Sequence, residues 1–270
     1  MKYLSLLLLP LILVACGQKN SAQKSSKSTR DSVKQSYAAH SDSITIPDSL
    51  HITKKFVTGQ FNFRKRNNFV KVAPQYADKR IYLQKATYRA FKKMARSAKK
   101  DGIRLIIVSG TRNFTYQKRI WDRKWRTFKA PSAYEKALKI LKFSSMPMTS
   151  RHHWGTDMDL NNLNNSYFAH GKGKREYQWL KAHANHFGFY QAYTKKSLHG
   201  RTGYEEEKWH WSYMPLAVYY LKYYNEHVTN ADITGFKGSR FATKINMVKN
   251  YVDGVSRKIK QYTPGNEKNK

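Results

Sequence analysis

The sequence predicts an α+β fold: a small, mainly antiparallel sheet packed against several helices. Three observations lead there. Several segments repeat apolar residues at helical spacing, whereas only short runs read as strands. The two kinds do not follow the regular strand–helix alternation of a parallel α/β fold. One run, Trp209, Trp211 and Tyr213 alternating with His210 and Ser212, has the period of a half-buried strand.

The chain opens MKYLSLLLLPLILVACG. Lys2 precedes an apolar run from Leu4 to Val14, broken only by Ser5 and Pro10, too short to span a bilayer as a helix but suited to a signal peptide. It ends at Leu13-Val14-Ala15-Cys16, which resembles a bacterial lipobox, where the Cys becomes the acylated first residue of the mature protein. The same residues also fit an ordinary cleavage site beside an incidental Cys. The lipobox is favoured because Cys16 is the only Cys in 270 residues. The expectation is a signal peptide over 1–15 and a protein held in the bacterial cell envelope by acyl chains on Cys16. Residues 17–50 carry nine Ser and few apolar residues, which is the composition of a flexible tether. A folded domain is expected over 51–259, with order beginning near Phe56, and a basic tail over 260–270.

Within the domain, Leu83, Ala86, Ala90, Phe91, Met94 and Ala98 form one helical stripe over 83–99, and Gly102 is a plausible stop. Ile103 to Val108 reads as a buried strand. Phe114, Gln117, Trp121, Trp125 and Phe128 repeat at helical spacing, and Pro131 to Phe143 is a further helix candidate. Tyr177, Leu180, Ala184 and Phe187 mark another, closed by Gly188. After the strand at Trp209, Pro215 opens a helix rich in Tyr and Leu. A last basic helix is expected over 241–259.

Composition narrows the function. An apolar fraction of 40% with 14% aromatic residues argues against disorder, and a single Cys excludes a disulfide framework or a Cys-rich zinc module. The charge is extreme: 51 Lys and Arg against 17 Asp and Glu, a net +34. That predicts an acidic partner. An exported protein meets little cellular DNA, so anionic envelope polymers or lipids are expected rather than nucleic acid. A basic lipoprotein could also simply hug anionic lipid.

In so acid-poor a chain, two Asp and two His between His152 and Asp159 stand out. They lie in Ser150-Arg151-His152-His153-Trp154-Gly155-Thr156-Asp157-Met158-Asp159. A second cluster is Glu207-Lys208-Trp209-His210. Zn²⁺ accepts imidazole nitrogen and carboxylate oxygen, and catalytic sites use three such ligands. His152 and Asp159 would face apart on an unbroken strand, but Gly155 offers a turn that could bring them together. His210 would supply a third ligand, leaving Glu207 free as a base. Taken singly, each of these residues is as readily an ordinary core His or a solvated loop acid.

The first cluster resembles the S-x-H-x-x-G-x-A-x-D signature of zinc D-alanyl-D-alanine carboxypeptidases and dipeptidases of the VanY type. Ser150, His152, Gly155 and Asp159 match, and Asp157 stands where the pattern has Ala. The second resembles their E-x-W-H signature through Glu207, Trp209 and His210. Ser109-Gly110-Thr111-Arg112, followed by Gln117, resembles the family's S-G-x-R segment. The resemblance spans roughly 80 to 215. It implies a mixed α+β fold whose sheet carries the metal ligands His152, Asp159 and His210. It implies one Zn²⁺ per chain, Glu207 as general base, and cleavage of a D-amino acid from peptidoglycan stem peptides. Asp157 either alters strand packing beside the metal or adds a carboxylate behind a ligand. Arg112 is the expected partner of the peptide's terminal carboxylate, with Ser150 and Gln117 as helpers. Glu207 and His210 have opposite strand parity, so Glu207 is expected at a strand entry or on a bulge. Rival readings are an endopeptidase on the same zinc template, which needs no terminal carboxylate, and a non-catalytic wall- or membrane-binding lipoprotein.

Overall fold

In the β-strand from Asp157 to Leu160 every residue is buried, because both faces of the sheet are covered. The computed structural model describes residues 44–265, and they belong to one compact unit. The signal segment, Cys16 and most of the expected tether lie outside the described residues. Packing reaches a little past the expected domain limits, since Ile44 and Tyr262 are both buried in the core.

Two antiparallel sheets form. The smaller pairs β1 (Phe69–Lys71) with β2 (Tyr82–Gln84). The larger contains β3 (Ile107–Ser109), β4 (Asp157–Leu160), β5 (Phe189–Gln191) and β6 (His210–Tyr213), in the order β3-β4-β6-β5. Among the described residues the longer helices are α1 (Lys85–Lys100), α2 (Phe114–Thr127), α3 (Ala133–Leu141), α4 (Gly171–His183) and α5 (Met214–His227). Helices around small antiparallel sheets are the α+β class the sequence predicts.

The alternation of side chains across each strand sorts the large sheet into two faces. Met158, Leu160, Trp211 and Phe189 point to a cluster that includes Phe91 and Met94 of α1 and Trp179 and Leu180 of α4. The opposite face carries Asp157, Asp159, His210 and Ser212. On that side lies the second cluster, with Trp154 and much of α5.

Three expectations are corrected. The helix over 83–99 starts at Lys85, because Leu83 pairs with Val70 in the small sheet. Its buried face is Thr87, Tyr88, Phe91, Met94, Ala95 and Ala98, and Ala86 and Ala90 are only half-buried. The strand expected over Ile103 to Val108 is reduced to Ile107–Ser109. Ahead of it, the Asn161 side chain takes the ladder's place, accepting from Ile106 N and donating to Arg104 O. The long helix expected over 241–259 is a set of short turns: Ala242–Ile245, a π-turn at Val248–Val252, and Arg257–Lys260. Asn246 breaks it in a left-handed conformation, φ 55°.

Candidate metal centre and active site

The site is built where β4 and β6 run side by side. Their register sets Asp159 opposite His210 and Asp157 opposite Ser212, so all four share one face. His152 comes from a single 3₁₀ turn, Arg151–Trp154, immediately before β4. Gly155 ends that turn at φ 72°, and a Cβ there would lie 2.4 Å from the Phe69 ring. Glycine is needed for both reasons. The tight reversal brings His152 back over the strand that carries Asp159, as the spacing required.

Each imidazole is oriented by a bond on its far side. His152 Nδ1 donates to Gly110 O at 2.9 Å, which leaves Nε2 as the free end. His210 Nε2 lies 3.0 Å from Asp157 Oδ2, which leaves Nδ1 facing inward. His152 Nε2 is 3.4 Å from Asp159 Oδ1, and His210 Nδ1 is 3.3 Å from the same oxygen. All three residues are buried, and one ligand atom from each lies within 4.8 Å of the others. His152 Nε2 and Asp159 Oδ1 have no hydrogen-bond partner.

That donor set fits a metal. Ligands ~2.0 Å from a tetrahedral zinc lie ~3.3 Å from one another, close to the two spacings above. Buried polar atoms without partners are costly, and a cation at this point would satisfy both. Two imidazoles and one carboxylate form a set that zinc accepts while keeping a fourth position open.

Glu207 sits in the turn that feeds β6, where His210 N–H donates to Glu207 O at 3.3 Å. The turn, and not the strand pleat, aims its side chain inward, and Oε2 lies 3.2 Å from His210 Nδ1. Burial pushes the Glu207 carboxyl up from its usual range, against the pull of His210. Burial, followed by the positive charge of Arg112, pushes His152 down to about 4. Burial would also lower His210, but Asp157, Asp159 and Glu207 around it hold it well above its ordinary value. For Asp159 burial acts upward, and the two histidines more than offset it, leaving the carboxyl low.

Arg112 leaves the end of β3 with its backbone N–H on His152 O at 3.1 Å. Its carbonyl faces His153 Nδ1 at 2.6 Å. Its Nε is buried and has no partner, and its charge acts on both His152 and Glu207. Ser150 Oγ is likewise buried and unpartnered. Gln117 is buried on α2, but its amide nitrogen is bound to Ser145 O at 2.8 Å. Its free end is the oxygen, an acceptor, which suits a peptide N–H better than a carboxylate.

Sequence reasoning passed over Arg151. Its Nε donates to Asp157 Oδ2 at 2.9 Å and its Nη2 to Ser212 Oγ at 2.6 Å. Ser212 Oγ and Thr156 Oγ1 each donate to Asp157 Oδ1 at 2.9 Å. The guanidinium stacks over Trp154 at 4.6 Å. Asp157, which departs from the family pattern, is therefore a carboxylate behind a candidate ligand: it grips His210 and is itself gripped by Arg151. Tyr193 was also missed; its ring packs edge-on to His210 at 4.8 Å. No sequence signal marks it, since its place depends on the chain beyond β5.

The profile of the VanY family, D-alanyl-D-alanine carboxypeptidase, matches residues 80–216, just over half of the chain. The chain belongs to the VanY family. Among relatives of this family member, a D-alanyl-D-alanine carboxypeptidase of Enterococcus faecalis is 32% identical over 123 residues, 44% of either chain. The putative carboxypeptidase YodJ of Bacillus subtilis is 31% identical over 139 residues, 49% of this chain and 46% of that one. This chain thus spans less than half the length of the curated relatives it matches. Among solved structures, a VanY D,D-pentapeptidase of a VanB-type resistance cassette, in complex with Zn(II), is 23% identical. That match covers 68% of this chain and 92% of the other, with a TM-score of 0.42.

Proposed function

We propose that this VanY-family protein is a zinc-dependent carboxypeptidase that removes a C-terminal D-alanine from peptidoglycan stem peptides by cutting a D,D- or L,D-bond. The observation that carries the reading is the three-ligand set of His152, Asp159 and His210 with the Glu207 carboxylate 3.2 Å from one ligand atom. Family membership and the carboxypeptidase names of both curated relatives support it. Zinc held by the three ligands would act as a Lewis acid, polarising the scissile carbonyl and making water a better nucleophile near neutral pH.

The chain's own groups supply the rest. Glu207, with its proton affinity raised by burial, takes the proton of the attacking water at Oε2 and delivers it to the leaving amine. His152 and His210 are held in fixed tautomers by Gly110 O and Asp157, so neither must reorient during turnover. Arg112 binds the terminal carboxylate, which places the last peptide bond at the metal and makes the enzyme an exopeptidase. The reading includes lipid anchoring through Cys16 at a bacterial membrane, with the +34 surface holding anionic envelope polymers or lipids.

The test is to incubate the purified protein with pentapeptide and tetrapeptide stems, with and without chelator, and to identify products by mass. Loss of one terminal D-alanine, abolished by chelator and restored by zinc, is the expected result. Internal cleavage would move the assignment to an endopeptidase, and no zinc-dependent product would refute the catalytic reading.

A further inference from the structure

Arg112 stands three residues beyond the end of β3, whose last residue, Ser109, faces Asp159. The sheet ladder therefore does not fix its backbone. Thr111 N–H donates to Tyr82 O at 2.9 Å, and three further bonds lead from this segment to the turn that carries His152. His152 Nδ1 donates to Gly110 O at 2.9 Å. Arg112 N–H donates to His152 O at 3.1 Å. His153 Nδ1 lies 2.6 Å from Arg112 O, and because a carbonyl only accepts, this nitrogen carries the proton and donates. The peptide groups on both sides of Arg112 are thus held. That sets the direction of its Cα–Cβ bond and leaves only side-chain rotations free.

Of the two bonds to Arg112 itself, the first joins backbone to backbone and the second needs the His153 side chain. That side chain is fully buried, and its Nε2 has no partner. An apolar side chain would fill the space without leaving a buried polar atom unmet, so packing alone does not account for a histidine here. Room for the ring is kept by Gly59, where φ is 74° and a Cβ would lie 2.4 Å from His153 Nδ1. Gly59 O in turn accepts from Phe114 N–H at 2.8 Å, so the chain is gripped again two residues after Arg112.

We propose that His153 is a positioning residue: its Nδ1–H clasps the Arg112 backbone to the turn bearing His152, and so fixes the span between the metal cluster and the guanidinium. That span decides which peptide bond meets the metal once the arginine has engaged the end of the peptide. His153 acts through Arg112 and binds neither metal nor peptide. The inference rests on the peptidase reading above and adds a residue to it.

The test compares His153→Leu with His153→Asn. The two replacements are of similar size, and only Asn offers an N–H at the same number of bonds from Cβ as Nδ1. Both are made in zinc-loaded protein rendered inert by Glu207→Gln, and D-alanine-terminated peptides with a free or an amidated C-terminus are titrated by calorimetry. His153→Leu should keep one zinc per chain and weaken free peptides roughly 3- to 10-fold, the effect of one ordinary hydrogen bond, and amidated ones less than about twofold. His153→Asn should restore most of the loss, which a role in packing alone would not predict. Equal weakening of free and amidated peptides, no weakening of either, or no recovery with Asn overturns the proposal. A second measurement does not depend on the folding of the Leu variant. In protein labelled with ¹⁵N-histidine, the resonance lost in His153→Asn should report a proton on Nδ1, and a proton on Nε2 alone overturns the clasp. The two readings separate. If the active enzyme cleaves no D-alanine stem, yet the contrast between Leu and Asn holds for free peptides, the peptidase reading fails and the positioning role stands. Cleavage with binding indifferent to residue 153 is the reverse.

Discussion

Asp157→Ala would restore the residue of the family signature and should nevertheless damage this protein. The carboxylate it removes accepts from four groups: His210 Nε2 at 3.0 Å, Arg151 Nε at 2.9 Å, and the Ser212 and Thr156 hydroxyls at 2.9 Å each. Two separate losses follow. Arg151 has a side chain with 0% exposure, and stripping a buried charge of its partner costs ~3–5 kcal/mol of stability. His210 loses the acceptor that fixes Nε2–H, and loss of such an outer partner typically costs ~10–100-fold in metal affinity. The double variant Arg151→Met/Asp157→Ala separates them. Replacing a buried pair by apolar groups is often nearly neutral for stability, so most of the folding loss should return while zinc affinity stays low. Urea unfolding reads the first quantity, and zinc competition with a chromogenic chelator reads the second. If zinc affinity returns together with stability, Asp157 is only a structural partner of Arg151 and the orienting role is refuted.

Three further outcomes are expected. In the metal-free protein His210 is held protonated by Asp157, Asp159 and Glu207, whereas His152, at about 4, is already neutral. Zinc binding at pH 7 should therefore release about one proton, with affinity rising with pH towards the raised His210 value; calorimetry in two buffers of different ionisation enthalpy counts it, and a count of zero contradicts the assignment. By the same linkage, His210 contributes stability to the metal-free fold below its unfolded value of ~6.5, and that contribution is lost as pH rises through the folded value. Arg112→Ala should lower kcat/KM for free stems by roughly 2–5 kcal/mol, and amidating the substrate should then cost little more; an additive pattern would deny a direct pair. Cys16→Ser should release the protein from the membrane fraction, and unchanged retention would assign the holding to the basic surface.

The cluster of His152, Asp159 and His210 was legible in the sequence as a candidate metal site because metal chemistry restricts residue type and spacing so strongly. His210 sits on a strand whose period of two is visible in the chain, and Gly155 marks the reversal that returns His152, whereas the strand carrying Asp159 was not read from the sequence. The Arg151–Asp157–His210 chain was not legible, because it exists only through the pairing of Asp157 with Ser212, a register between segments far apart in sequence. The free end of Gln117 depends on Ser145 O, another non-local contact. The failure over 241–259 has a local cause. Buried Ala242, Ile245, Met247, Val252 and Val255 share no single helical face, and the left-handed Asn246 interrupts the run. For Gly254, the Cβ of any other residue would lie 2.2 Å from Asn250 O. The short β3 has a similar lesson: apolar β-branched residues mark burial, but the Asn161 side chain decides where pairing begins.

In the proposed mechanism one buried carboxylate does the proton transfer beside a metal held by three other residues. That mechanism is tested most directly by the turnover of Glu207→Gln at full zinc occupancy on a D-alanine-terminated stem. Glutamine keeps the shape and cannot accept the proton, so the variant should hold one zinc per chain and turn over ~10²–10⁴-fold more slowly. Turnover near that of the unaltered protein, with zinc still bound, would contradict it.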